Sequence, residues 1–205
     1  MIAKIKKYKY GYFVFDDKDI KDTNFNPKKS ENYKYIELAN ISSNSDILHV
    51  ENVIGSDLPT RARRIVKKND VIVSSVEGSL NSITLINENY DSSLCSTGFF
   101  VLKTENINSE SLFVFLKSFI GQMQLKRGCK GTILTAIDKK ELKQIVIPTI
   151  PQSIQSLISS KIQQSFSNRE KSKQLLEVVK RAVEIAIEES EEAGLKYIED
   201  DKFSM

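Results

Sequence analysis

One feature near the C-terminal end constrains this chain most. Residues 152–199 contain no proline, and no glycine before Gly194. Along that stretch Ile154, Ile158, Ile162 and Phe166, then Leu176, Val179, Val183 and Ile187, recur at helical spacing. The spacing predicts one long helix, about 70 Å at 1.5 Å per residue, where an average globular helix has about 12 residues. A rod with an apolar stripe cannot bury that stripe on itself, so it requires a partner. Between the two apolar stretches, Ser167-Asn168-Arg169-Glu170-Lys171-Ser172-Lys173-Gln174 is polar on every face, and the helix there is expected to be bare, bent or bridged by polar contacts. The heptad is irregular and leaves oligomer number open.

The preceding 150 residues have a different grammar. Tyr33-Lys34-Tyr35-Ile36-Glu37-Leu38 alternates with period two, and a turn follows through Ser42-Ser43-Asn44-Ser45-Asp46. Val71-Ile72-Val73-Ser74-Ser75-Val76, Ile83 to Ile86, and Phe99-Phe100-Val101-Leu102 are β-branched or aromatic runs, so sheet dominates to about residue 103. Leu112, Phe115, Leu116, Phe119, Ile120 and Met123 then predict a helix of about 16 residues with its stripe toward a core. Gly128-Cys129-Lys130-Gly131-Thr132 reads as a mobile basic loop, Asp138 to Glu141 as a capped short helix, and Ile145-Val146-Ile147-Pro148 as a strand that proline ends. The reading is an α+β chain: a mixed α/β domain with a twisted sheet over residues 1–150, then a long helix over 151–205.

Ten Phe and seven Tyr among 205 residues can form a real core, and a mean hydropathy of −0.30 excludes wholesale disorder. No apolar run approaches the 18 or so residues of a membrane span, and Lys6, Lys7 and Lys9 follow the start without a signal-peptide core, so a cytoplasmic location is expected. Two cysteines, Cys95 and Cys129, and the single His49 disfavour a disulfide scaffold and most metal centres. Charge is unevenly placed. Residues 1–151 hold 22 Lys+Arg against 17 Asp+Glu, net +5, and residues 152–205 hold 8 against 10, net −2. Within the first part the cations bunch at Arg61, Arg63, Arg64, Lys67 and Lys68 and again at Lys126, Arg127 and Lys130, a local field that attracts phosphate, although a basic run is ordinarily a solvated face. The acidic C-terminal end is read as solubility.

Catalytic constellations fail one by one. No Gly-x-Ser-x-Gly elbow accompanies His49, and Glu141-Leu142-Lys143, although it has the Glu-x-Lys form of metal-dependent nucleases, is already explained as part of a capped helix. Neither phosphate-binding glycine loop is present. Asn26-Pro27 is followed by lysines, unlike the motif of adenine methyltransferases. The cysteines read as small apolar residues, with Cys129 among three cations placed for a lowered pKa. A basic α/β module on a long helix is a binding protein's architecture.

Several segments in order resemble a known family: Tyr35-Ile36-Glu37-Leu38-Ala39-Asn40-Ile41-Ser42, Leu58-Pro59-Thr60-Arg61-Ala62-Arg63-Arg64-Ile65-Val66, Asn69-Asp70-Val71-Ile72-Val73-Ser74-Ser75-Val76-Glu77-Gly78-Ser79-Leu80, Cys95-Ser96-Thr97-Gly98-Phe99-Phe100-Val101-Leu102, and Gly131-Thr132-Ile133, then Leu142 and Ile147-Pro148 before a glutamine-containing helix. The series is similar to the target recognition domain and following helix of a type I restriction-modification specificity subunit (HsdS family), from about residue 33 onward. Asn69 stands where that family often has glycine, and Glu77 where it often has arginine.

The resemblance implies a non-catalytic subunit that reads double-stranded DNA and places a methyltransferase (modification) subunit and a restriction motor subunit on it. The chain itself would bind no metal or other cofactor; S-adenosylmethionine is expected on the methyltransferase. Family subunits carry two recognition domains joined by two antiparallel helices, so one domain with one helix is similar to half a subunit. Such a half would form a homodimer by antiparallel coiled coil and read an interrupted palindrome. Phosphate contacts are expected from Arg61, Arg63, Arg64, Lys126, Arg127 and Lys130, and base contacts from Ser43, Asn44, Ser45, Ser79, Asn81 and Thr132. The helix residues Ile154, Ile158, Ile162, Phe166, Leu176, Val179, Val183 and Ile187 are expected at the dimer and partner seam. Two other readings stay open: a specificity domain of a fused methyltransferase-restriction enzyme, and a coiled-coil scaffold that does not bind DNA.

Overall fold

The computed structural model describes residues 11–48, 50–132 and 135–202, the last two through their backbone only. His49, Ile133 and Leu134 lie outside the described residues. The chain divides into two units, Met1–Ile158 and Ser159–Met205.

The strongest β-formers take the middle of the first unit. β6 (Val71–Ser74) and β9 (Phe99–Leu102) pair antiparallel in a sheet of order β2-β9-β6-β7, with β2 (Ile20–Lys21) and β7 (Ile83–Leu85) at its edges. Every residue of β6 and β9 is buried, which only apolar and small residues tolerate. A second sheet has the order β4-β3-β8-β5, built from β3 (Asn32–Ile36), β4 (Asn52–Ile54), β5 (Ala62–Ile65) and β8 (Leu94–Ser96); β3 and β8 run parallel and the other pairs antiparallel. Ile36, Val66, Ile72, Ile86, Cys95, Phe99 and Val101 form one buried cluster drawn from both sheets.

A buried carboxylate sets the turn into β6. Asn69 takes φ +68°, a left-handed position that asparagine tolerates better than most residues, and Asp70 behind it is fully buried. Lys21 Nζ donates to both Asp70 oxygens at 2.7 and 2.8 Å, and the Lys67 amide donates at 2.9 Å, so the charge is paired and hydrogen-bonded.

The helix expected from residue 109 is two helices. α1 (Ser109–Lys117) and α2 (Phe119–Gly128) meet at Ser118, whose ψ of 158° leaves the helical region. Ser118 Oγ accepts from the Gly121 amide at 3.2 Å, the bond of an N-cap, and this restarts the helix in a new direction. The stripe divides with it: Leu112, Phe115 and Leu116 are buried, whereas Phe119, Ile120 and Met123 are exposed.

Residues 128–132, expected as a loop, include β10 (Cys129–Lys130), which pairs with β11 (Ala136–Ile137). α3 (Lys139–Leu142) is capped by Asp138, whose Oδ1 accepts from the Glu141 amide at 2.8 Å, as the spacing predicts. β12 (Ile147–Pro148) pairs with β1 (Tyr12–Phe13). Buried Gln155 then ties the chain into α4 (Gln152–Glu188): its side chain accepts from the Asn108 amide and donates to the Ile150 carbonyl.

The long helix is present but does not run through to residue 199. It stops at Glu188, and α5 (Glu191–Lys202) starts after Ser190, whose Oγ accepts from the Ala193 amide. A Cβ on Gly194 would stand 2.7 Å from Ala182 O and 2.9 Å from Ala186 Cβ, so α5 lies against the end of α4 at a distance only glycine permits. Ala182 is 2 % exposed for the same reason. The polar stretch 167–174 stays helical throughout.

Candidate nucleic-acid interface

Three connections of the first unit converge on the α1–α2 elbow. Lys117 Nζ, at the end of α1, donates to the Ser43 carbonyl at 3.3 Å and the Asn81 carbonyl at 3.1 Å, bridging the turn at 42–46 to the β6–β7 connection. Burial lowers its pKa from the ordinary lysine value. Gln122 Nε2 donates to the Leu80 carbonyl at 3.3 Å, and Thr84 Oγ1 to the Ser45 carbonyl at 2.7 Å. The β10–β11 hairpin joins from the other side, where the Glu77 amide donates to the Thr135 carbonyl at 2.9 Å and Val76 bridges Ala136.

The fold therefore gathers Ser43, Asn44, Asn81 and Lys126, which the sequence offered separately. Ser43 and Asn44 are exposed on the turn, Asn81 on the β6–β7 connection, Thr132 on the hairpin and Lys126 on α2. Gly78, Asn81 and Lys126 line one shallow groove with Phe119 and Met123. Lys130 stands on β10 with its ammonium on Glu141, and Arg127 is exposed on α2. Two candidates are used internally instead. Ser45 is 3 % exposed at φ +68°, and its main-chain carbonyl holds Thr84; Ser79 Oγ is 2.8 Å from Ser74 Oγ and donates to the Val76 carbonyl.

Arg63 and Arg64 sit on β5 of the other sheet, Arg61 lies in the turn just before it, and the three differ among themselves. Arg61 is exposed and 3.3 Å from Glu37, a surface pair of little energetic weight. Arg63 donates to the Thr60 carbonyl at 2.9 Å and to Asn26 at 3.1 Å. The β5 register shifts between Ala62 and Arg64, which breaks the alternation expected of a regular strand. Arg64 turns inward, donates to the Phe99 carbonyl and lies 5.8 Å over the Phe100 ring, and burial lowers its pKa. Its guanidinium is thus engaged by the fold.

Cys129 corrects a sequence expectation. Despite the neighbouring cations its thiol is raised, by burial first and by Glu77 second, so burial outweighs Lys126. Burial pushes the Cys95 thiol up to about 12. Among the described residues no group of three or more His, Cys, Asp or Glu could hold a metal ion, and no helix is long and apolar enough to cross a membrane. Sequence reading missed Lys117, Gln122 and the exposure of Phe119 and Met123; the available signal was Ser118 followed three residues later by Gly121.

On α4, Ile154, Leu176, Val179, Val183 and Ile187 are exposed, Ile187 at 80 %, while Ile158, Ile162 and Phe166 are half-buried. In this structure of a single chain, the C-terminal part of the stripe is therefore largely uncovered.

Residues 6–181 match the family model described as type I restriction modification DNA specificity domain. Among solved structures, the chain is similar to one from work on the complex assembly and conformational transition of the type I R-M system, with 26 % identity, 87 % of this chain and 48 % of that chain covered, and a TM-score of 0.65. It is also similar to the HsdS subunit of Thermoanaerobacter tengcongensis (24 % identity, 84 % and 45 % covered, TM-score 0.63) and to the type I restriction-modification S subunit of M. genitalium (16 %, 89 % and 45 %, TM-score 0.52). The chain spans less than half the length of each of these. No curated protein matches it.

Proposed function

Since the chain belongs to the type I restriction-modification DNA specificity family, we propose that it reads one half of a bipartite DNA site and carries separate methyltransferase and restriction subunits to that site. Residues 1–150 are the reader and 151–205 the assembly element. Two copies join through α4 as an antiparallel coiled coil, and their two-fold axis makes the target an interrupted palindrome. The observation that supports this most is the family match across residues 6–181, taking in both the reader and most of α4.

In this reading the exposed polar groups around the elbow, Ser43, Asn44, Asn81 and Thr132, face base edges. A well-placed base contact discriminates by about 1–3 kcal/mol. Arg61, Arg63, Lys126, Arg127 and Lys130 hold phosphates, each adding about 0.9 to the salt slope. Ser45, Ser79 and Arg64 support the reader from within. The chain contributes no chemistry of its own; the methyltransferase brings S-adenosylmethionine.

Methylome sequencing of a host carrying this chain with its methyltransferase tests the reading: a palindromic bipartite motif is expected, and an asymmetric one refutes the homodimer. Sedimentation gives a second test. The wild type is expected to sediment as a dimer, and the double variant Ile158→Asp, Val183→Asp as a monomer with its first unit folded. A wild type that stays monomeric at micromolar concentration, with and without the methyltransferase, refutes the α4 seam.

A further inference from the structure

The exposed half of the broken stripe lies where the reader's loops meet. Phe119, Ile120 and Met123 are 78, 55 and 54 % exposed, and Lys126 follows Met123 by one helical turn on the same side of α2. Across the groove stand Gly78 and Asn81, and a Cβ on Gly78 would meet no atom within 4 Å, so the groove opens to solvent there. From these observations, and resting on the reading that the chain binds DNA, we infer that this face of α2 is itself a duplex-DNA contact: Phe119 and Met123 press between base edges as an apolar wedge, and Lys126 holds the flanking phosphate.

Three points favour DNA over a protein partner. The face is continuous with the candidate base readers, because Lys117 and Gln122 of the elbow hold the backbone of residues 43, 80 and 81. It carries an exposed cation, Lys126 one turn after Met123, whereas lysine is depleted at protein interfaces. It is also small. Three side chains offer roughly 300–400 Å², under half of the ~800 Å² per partner in a standard protein interface. Phenylalanine, isoleucine and methionine are among the residue types that open base steps in wedge-type binders.

The test uses the full chain with its methyltransferase and a labelled 30-base-pair duplex, about three turns of DNA, selected from a random-sequence pool by the wild type. Phe119→Ala and Met123→Ala should each weaken binding to that duplex roughly tenfold with the salt slope unchanged, and Lys126→Gln should lower the slope by about one. Methyltransferase co-sedimentation should be unaffected. Far-UV circular dichroism checks folding, and Phe119→Leu should retain most of the affinity. Wild-type DNA affinity in both alanine variants overturns the inference, and loss of the methyltransferase instead assigns the face to a protein. If the wild type selects no duplex, the specificity reading fails along with the wedge.

Discussion

Gly121→Ala probes the elbow on which the reading surface rests. In an ordinary helix this change stabilises by about 0.5–1 kcal/mol, because glycine loses more backbone freedom on folding. Here the added methyl would stand 2.2 Å from the Phe115 carbonyl oxygen, 2.8 Å from Leu116 Cα and 2.9 Å from the Leu116 carbonyl oxygen. All three are backbone atoms of α1, so no rotamer change relieves the clash. Phe115 and Leu116 are buried on a helix packed against β6 and β7, and α1 cannot retreat without opening that layer. Overpacking costs about 1–3 kcal/mol, and a clash with fixed backbone belongs at the upper end. The net expectation is a loss of about 2 kcal/mol, and a midpoint lowered by about 4–8 °C for a chain of this size. Thermal unfolding followed by circular dichroism measures it, with Gly78→Ala as the control. That glycine has open space around it, so its replacement should stay within about 0.5 kcal/mol of wild type. A Gly121→Ala chain as stable as wild type would refute the argument that α2 approaches α1 too closely for a side chain.

Three further outcomes follow from the charges and thiols. Asp70→Ala removes the acceptor for Lys21 and for the Lys67 amide, so urea unfolding should show a loss of about 2–4 kcal/mol; less than 1 kcal/mol would mean the buried carboxylate is incidental. Lys143 and Lys139 hold the Asp17 carboxyl below the ordinary carboxylate range, and Lys139 does the same for Asp22. Depressed folded values give stability that is complete above the unfolded pKa near 3.9 and is lost as pH falls through the folded values. The Lys139→Met chain should therefore lose less stability than wild type between about pH 5 and 2, and parallel curves would contradict the assignment. With iodoacetamide at pH 8, Cys95 should stay unmodified in the native chain and Cys129 should react more slowly than in urea; native Cys129 reacting faster than in urea would show that the cations govern it after all.

The readable parts of the head are those whose neighbours are close in sequence or whose burial admits few residue types. β6 and β9 are legible because a strand buried on every residue must be written in apolar and small side chains. The α3 cap is legible because Asp138 and Glu141 are three residues apart. Lys117 was not, since its two acceptors lie 74 and 36 residues away and both are backbone carbonyls that no pattern marks. Arg64 escaped because a register shift re-aims it, and Ser45 because the left-handed turn that buries it is a property of φ. The elbow stood in between. Apolar periodicity runs through Ser118 without a break, whereas the serine and Gly121 together carry the cap that the structure uses.

The same conflict decides the tail, where the capping residue again overrides the periodicity. Helical spacing continues past Glu188, yet Ser190 caps a new helix and places Glu191 and Glu192 in its first turn, where the helix dipole favours acidic side chains. These carboxylates, which composition alone assigns to solubility, thus also begin α5. The helix they begin covers Ala182 through Gly194 and leaves Leu176, Val179, Val183 and Ile187 uncovered beside it. Small residues therefore mark where the chain packs on itself, and large exposed ones mark the stripe left for a partner. An apolar stripe read from spacing alone merges these two surfaces; side-chain size separates them, because only glycine and alanine permit the close crossing and only the larger residues retain area to bury.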